Sequence, residues 1–136
     1  MAEWFVAFED PEHPEYSAVV EDDGCVAYAY FLVDEKITGL VWLYNSANEQ
    51  GRTWEESREQ GLPPRMPDDN VKDPTFAPIA SESELEATWV TYLDRREVGI
   101  YIRGKVHAAV GEGDYPGSCL NAIADSPMAN AWVAED

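Results

Sequence analysis

The residues of this chain best equipped for chemistry are His13, His107, Cys25 and Cys119, and their neighbours decide what chemistry is open to each. An imidazole titrates near neutral pH, so His107 could serve as a general base or a proton-linked switch. No Ser, Cys or Asp stands beside it at a spacing that builds a dyad, so a structural or surface histidine is the plainer expectation. His13 lies among Glu9, Asp10, Glu12 and Glu15. Carboxylates with one imidazole can hold a divalent ion, but this spacing defines no ligand set, and a solvated acidic loop is expected instead. Asp22-Asp23-Gly24 could open a calcium loop, yet the following positions are apolar, which predicts a β-turn. A nucleophilic Cys25 or Cys119 needs a base and a lowered pKa. Ser118 and Asn121 give Cys119 a polar setting without a local histidine, so two reduced thiols are expected, at least one in the core.

Larger motifs are missing. There is no Walker sequence, no Gly-x-Gly-x-x-Gly after a strand and no His-Glu-x-x-His. No cofactor or metal is therefore expected. Arg95, Arg96, Arg103 and Lys105 could hold a phosphate, but bases bordered by acids are more often solvated surface. Trp42, Tyr44, Trp89, Tyr101 and His107 could line an aromatic pocket in a curved sheet, or could simply be core.

The elements that must position these residues read as mainly β. Trp4 to Phe8 and Tyr16 to Glu21 are short strands, separated by a loop with Pro11 and Pro14. Val26 to Val33 and Ile37 to Tyr44 are rich in β-branched and aromatic residues and flank a polar turn at Asp34-Glu35-Lys36. Val26, Tyr28, Tyr30 and Leu32 share one face and Ala27, Ala29, Phe31 and Val33 the other, which predicts a central strand covered on both sides. Asn45 to Ser83 carries five prolines and few apolar residues. It reads as a long irregular excursion with one short helix near Trp54 to Gln60, begun by the capping box Thr53-Trp54-Glu55-Glu56 and ended by Gly61. Strands resume at Ala87 to Leu93, Val98 to Ile102 and Val106 to Val110, with turns at Asp94 to Glu97 and Arg103-Gly104. A short helix is expected around Leu120 to Ala124, with Trp132 docking the tail. The expectation is one domain over residues 1–136, an antiparallel curved sheet or sandwich with one or two short helices.

Charge narrows the partners. The chain has 136 residues, 27 acids against 9 bases and a net charge of -18. Ten acids precede the first base, Lys36, and no Lys or Arg follows Lys105. Such a field repels phosphate backbones, so nucleic acid is not an expected partner. It attracts basic proteins and speeds their association. No apolar run approaches the roughly 18 residues of a membrane span. The start, Met1-Ala2-Glu3-Trp4, has no basic region or cleavage pattern, which predicts a cytoplasmic protein without a membrane partner. These features favour a non-catalytic domain that binds a basic protein, such as an immunity or inhibitor protein against a bacterial toxin. Glu9, Asp10, Glu12, Glu15, Glu21, Asp22 and Asp23 would supply the field, and Trp54 and Arg58 the anchors. The alternatives are a small-molecule-binding or enzymatic module using the aromatic pocket, and a salt-adapted structural domain.

Three segments together resemble a small uncharacterised bacterial family, a domain of unknown function. They are the acidic Asp-Gly turn with aromatic strand residues in Val20 to Tyr30, the Tyr44-Asn45 step ending a strand, and the His107-Ala108 pair in the hairpin Ile100 to Val110. The excursion is longer than the family leads one to expect, and the tail departs from its pattern. The resemblance implies a shared β fold and no particular activity.

Overall fold

The computed structural model describes residues 4–45, 59, 61 and 65–132. The first half forms an antiparallel meander, β1 (Trp4–Glu9), β2 (Tyr16–Asp22), β3 (Val26–Val33) and β4 (Lys36–Asn45), paired in that order. The second sheet runs β5 (Leu85–Tyr92), β6 (Arg95–Ile102), β7 (Lys105–Gly111), β8 (Ser118–Cys119) and β9 (Asn130–Ala131). Its pairs are antiparallel except β8 with β9. The protein is thus mainly β, as the strand pattern predicts.

Period-two alternation sets the layers. Trp4, Val6 and Phe8 of β1 fall in register with Asp22, Val20 and Ala18 of β2, and these with Ala27, Ala29 and Phe31 of β3. That face meets Val98, Ile100 and Ile102 of β6 and Ala108 and Val110 of β7 in one hydrophobic cluster. Phe31 and Trp89 touch across it, ring centres 6.0 Å apart. Burying such side chains is worth roughly 1.5–3 kcal/mol each. Met66 and Ile79 are also buried there, so the excursion supplies core despite its sparse apolar content.

Three hairpins turn on two residues, both with positive φ: Asp34-Glu35, Leu93-Asp94 and Arg103-Gly104. Such turns match the right-handed twist of the flanking strands. The Arg103-Gly104 expectation holds. The turn expected over Asp94 to Glu97 is corrected: it is confined to Leu93-Asp94, and Arg95, Arg96 and Glu97 belong to β6.

Three irregularities shift register: one in β4 leaves Thr38 extra between Gly39 and Ile37, and the other two bear on the site. In β4, Ala27 pairs with Tyr44 but Tyr28 with Trp42, which leaves Leu43 as the extra residue. In β7, Ile100 pairs with Ala108 but Tyr101 with Val106, which leaves His107 extra. The far edge of β4 is closed by irregular chain. Gly113 N–H donates to Thr38 O, Leu40 N–H to Asp114 O, Gly117 N–H to Leu40 O and Trp42 N–H to Met128 O. This approach needs glycine, since a Cβ at Gly39 would strike the Gly111 carbonyl and one at Gly117 the Ala109 carbonyl.

The helix expected at Leu120 to Ala124 is absent. Leu120 N–H is taken by His107 O and Ile123 N–H by Asn70 O, and Ala122 bridges to Val71, so tertiary pairing replaces the helical ladder. The helix expected near Trp54 to Gln60 lies outside the described residues apart from Glu59. Within the described part of the excursion there is no long strand; Glu59 is helical, Val71 forms a lone bridge, and single 3-10 turns stand at Asp68–Asn70 and Glu82–Glu84. A capping box unread in the sequence stands at Ser81 and Glu84. Among the described residues no helix is long and apolar enough to cross a membrane.

Candidate functional site

The acidic loop after β1 is not uniformly solvated. Asp10 is buried, its side chain wholly so, and Arg96 grips it with Nε at 2.7 Å from Oδ2 and an NH2 nitrogen at 3.0 Å from Oδ1. The Glu12 backbone N–H adds a bond to Oδ1 at 3.0 Å. Burial alone would raise the Asp10 carboxyl, but these donors and the Arg96 charge hold it below its ordinary value. Asp10 is therefore a structural anchor between loop and second sheet, a correction to its place among partner-facing acids. Glu9, Glu12 and Glu15 are exposed, with Glu12 also near Arg96 at 3.4 Å. His13 lies 5.9 Å from the Tyr16 ring, and no three potential metal ligands converge among the described residues.

Asp22-Asp23-Gly24 is the β-turn expected. Asp22 Oδ1 accepts from Gly24 N–H, and Asp23 Oδ1 accepts from the N–H groups of Cys25 and Val26. Asp22 is buried, with the Tyr44 hydroxyl donating to its Oδ2 at 2.8 Å while Ile79 N–H donates to that hydroxyl at 3.1 Å. Asp22 too is corrected from a surface role. Its charge is spent on this chain, which ties strand to excursion. Glu21 is exposed, and Asp23 is half-buried.

The five aromatic-pocket candidates do not meet around one cavity. Trp42 and Tyr44 are wholly buried. Strict alternation would put both on one face, but the bulge at Leu43 sends Tyr44 toward Asp22 and Trp42 to the opposite side. There the Trp42 indole N–H donates to Asn45 Oδ1. The Asn45 amide also clasps Met66, accepting its N–H and donating to its carbonyl, which gives the Tyr44-Asn45 step a structural purpose. Trp89 packs on the core from β5. Tyr101 lies on the outside of the second sheet, with Trp132 and Val90 around a cleft of about 180 Å³.

His107 is buried, and its Nε2 lies 2.6 Å from Leu43 O. A carbonyl only accepts, so Nε2 carries the proton and the two bulges lock together. The Phe76 ring centre is 4.8 Å away. Burial drives the His107 pKa down, and the Arg103 charge adds to this against the Leu43 bond. The arrangement holds a neutral imidazole as a brace between sheets.

Both cysteines are buried and neither is in a disulfide. Burial pushes the Cys119 thiol up to about 12, and a thiol held protonated is no nucleophile at neutral pH. Trp54 and Arg58 lie outside the described residues. Of the bases expected as solvated surface, Lys105 is exposed, with no ion pair to a described residue, but the three arginines are engaged. Arg95 bridges Glu97 and Asp114, both at 2.6 Å, and Arg103 holds Glu84 at 2.7 Å while capping the Ala77 and Pro78 carbonyls.

What sequence reasoning missed is a largely apolar outer face on the first sheet, where Val19, Tyr30, Leu32, Ile37 and Leu40, with Glu21 and with Gly61 of the excursion, line a cavity of about 580 Å³. The shared face of Tyr30 and Leu32 was its signal. Burial first, then the nearby Glu21 and Asp23 charges, push the Tyr30 hydroxyl up to about 12, so it stays protonated there. No family model, no curated protein and no solved structure matches the chain.

Proposed function

We propose that this protein is a non-catalytic binding domain that takes up a basic protein partner, in the manner of a cytoplasmic immunity or inhibitor protein neutralising a basic bacterial toxin. One observation carries the reading. Arg95, Arg96 and Arg103 are tied internally to Asp10, Glu12, Glu84, Glu97 and Asp114. Glu9, Glu15, Asp34 and Glu35 are exposed, and none of them makes an ion pair with a described residue. Lys36 is the sole base in the first 45 residues of the sequence. These three arginines thus brace the fold, and although Lys36, Lys72 and Lys105 are exposed, the exposed acids outnumber them and leave a negative field facing outward. Such a field steers a cationic surface into encounter and blocks it by occupancy, with no bond made or broken. The kinship with the uncharacterised bacterial family belongs to the same proposal.

The test is affinity capture from the source cell with mass spectrometry, followed by association kinetics of the purified pair. The expected result is a strongly basic partner whose on-rate falls at least tenfold as salt rises from about 0.05 to 0.5 M, because the screening length shrinks from about 14 to 4 Å. Glu9→Gln with Glu15→Gln should lower the on-rate and leave the melting temperature unchanged. Asp10 is left intact, since its loss would break the buried pair. A neutral or acidic partner, or a salt-insensitive on-rate, would sink the proposal.

A further inference from the structure

The pairing of the first sheet defines its outer face row by row. Phe5, Glu21, Tyr28 and Trp42 form one row across the four strands. Ala7, Val19, Tyr30 and Leu40 form the next, and Glu9, Ser17, Leu32 and Ile37 the third. Tyr28 and Trp42 are covered, while in the middle of the face Gly61 is the described residue from outside the sheet that lines the cavity. Val19, Tyr30, Leu32 and Leu40 are only half-buried, Phe5 is 69% exposed and Ile37 53% exposed. A monomer gains nothing by exposing a contiguous apolar surface of this kind. Its border is mainly acidic, with Lys36 the one base at the Asp34-Glu35 hairpin. Glu9 ends the third row, and beyond Leu32 and Ile37 lies the exposed Asp34-Glu35 turn, whose Asp34 N–H is bonded to the Glu15 carbonyl.

We infer that this face is the docking surface for a protein segment that presents an apolar knob ringed by Lys or Arg. The inference rests on the binding reading above and adds to it where the partner sits and what it must carry. The apolar centre fits the desolvated core of an interface, and the acidic border fits its polar rim. A second copy of this chain is the wrong occupant, because it would set Glu9, Glu15, Asp34 and Glu35 against the same carboxylates.

The test uses three synthetic peptides with the full-length protein: an amphipathic leucine-lysine peptide, its leucine-glutamate counterpart, and a lysine-glutamine peptide of equal charge. Affinity is read by calorimetric titration and position by methyl NMR. The leucine-lysine peptide should bind at least about tenfold more tightly than the lysine-glutamine one. It should shift the methyl signals of Val19, Leu32, Ile37 and Leu40. Ile37→Glu, at an exposed hairpin position, adds negative charge while removing apolar surface, so a tenfold loss there isolates the apolar contribution. Changing Glu9, Glu15, Asp34 and Glu35 to Gln or Asn should weaken binding and flatten its salt dependence. Equal affinity of the two lysine peptides, or an unaffected Ile37→Glu variant, would overturn the docking face and leave the acidic-surface reading standing. No binding of either lysine peptide would overturn both. A dimer abolished by Ile37→Glu would overturn the choice of occupant.

Discussion

Two residues carry most of the tertiary logic at the smallest scale. His107 is neutral in the fold with its pKa lowered, so the unfolded chain binds more protons just below the ordinary histidine value of about 6.5. Its contribution is therefore complete above that value and is lost as pH falls from about 6.5 toward the lowered folded pKa. Urea unfolding should show stability declining over that window, and His107→Gln should remove that part of the slope. An unchanged slope in the variant would refute the brace. Tyr44 is the second residue. Tyr44→Phe keeps the ring but strips a donor from buried Asp22 and an acceptor from Ile79 N–H. Leaving buried polar groups unpaired costs about 1–3 kcal/mol. A change in the unfolding midpoint equivalent to less than about 0.5 kcal/mol would show that water reaches the site.

At the scale of elements, the hairpins expose a mismatch between sequence and geometry. Leu93 and Asp94 both sit at positive φ, and Leu93 is 83% exposed. Left-handed backbone costs an ordinary residue roughly 1–2 kcal/mol, less for Asp, and nothing for glycine. Leu93→Asn with Asp94→Gly should therefore raise stability by roughly 1 kcal/mol, visible as a higher melting temperature. A lower one would mean that Leu93 makes a contact its exposure hides. Glycine works the other way where chains cross. Gly117→Ala would drive a methyl into the Ala109 carbonyl, and the closure of the β4 edge should loosen. Amide exchange at Leu40 and Trp42 reports that directly.

For the whole molecule, net charge sets a prediction that separates steering from salt adaptation. A charge of -18 repels itself, and the repulsion falls as salt screens it. If salt adaptation is the charge's sole purpose, the melting temperature should climb steeply with ionic strength while partner binding stays flat. The internal bridges of Arg95, Arg96 and Arg103 argue for a mild climb, because they place positive charge where the acids crowd. We expect melting to shift modestly and binding to weaken strongly along one salt series.

Local pattern alone determined the strands of the first sheet, whereas β6 begins three residues before the expected run and β8 and β9 had no sequence signal. Val26 to Val33 is β3 to the residue, and β1, β2 and β4 each extend the predicted run by one residue at one end or both, since alternation and β-branched content are properties of adjacent residues. The Asp22-Asp23-Gly24 turn was legible for the same reason, and of the two reduced thiols, at least one expected in the core, both are buried. The fate of individual polar groups was not. Asp10 and Arg96 stand 86 positions apart, and nothing near either says that one neutralises the other. Nor could the sequence place Leu43 and His107 as extra residues, because a bulge is set by how two strands must meet a third surface. That single shift turned Trp42 and Tyr44 to opposite faces and dissolved the aromatic pocket. It took the packing of two sheets to decide which acids became internal struts and which were left exposed.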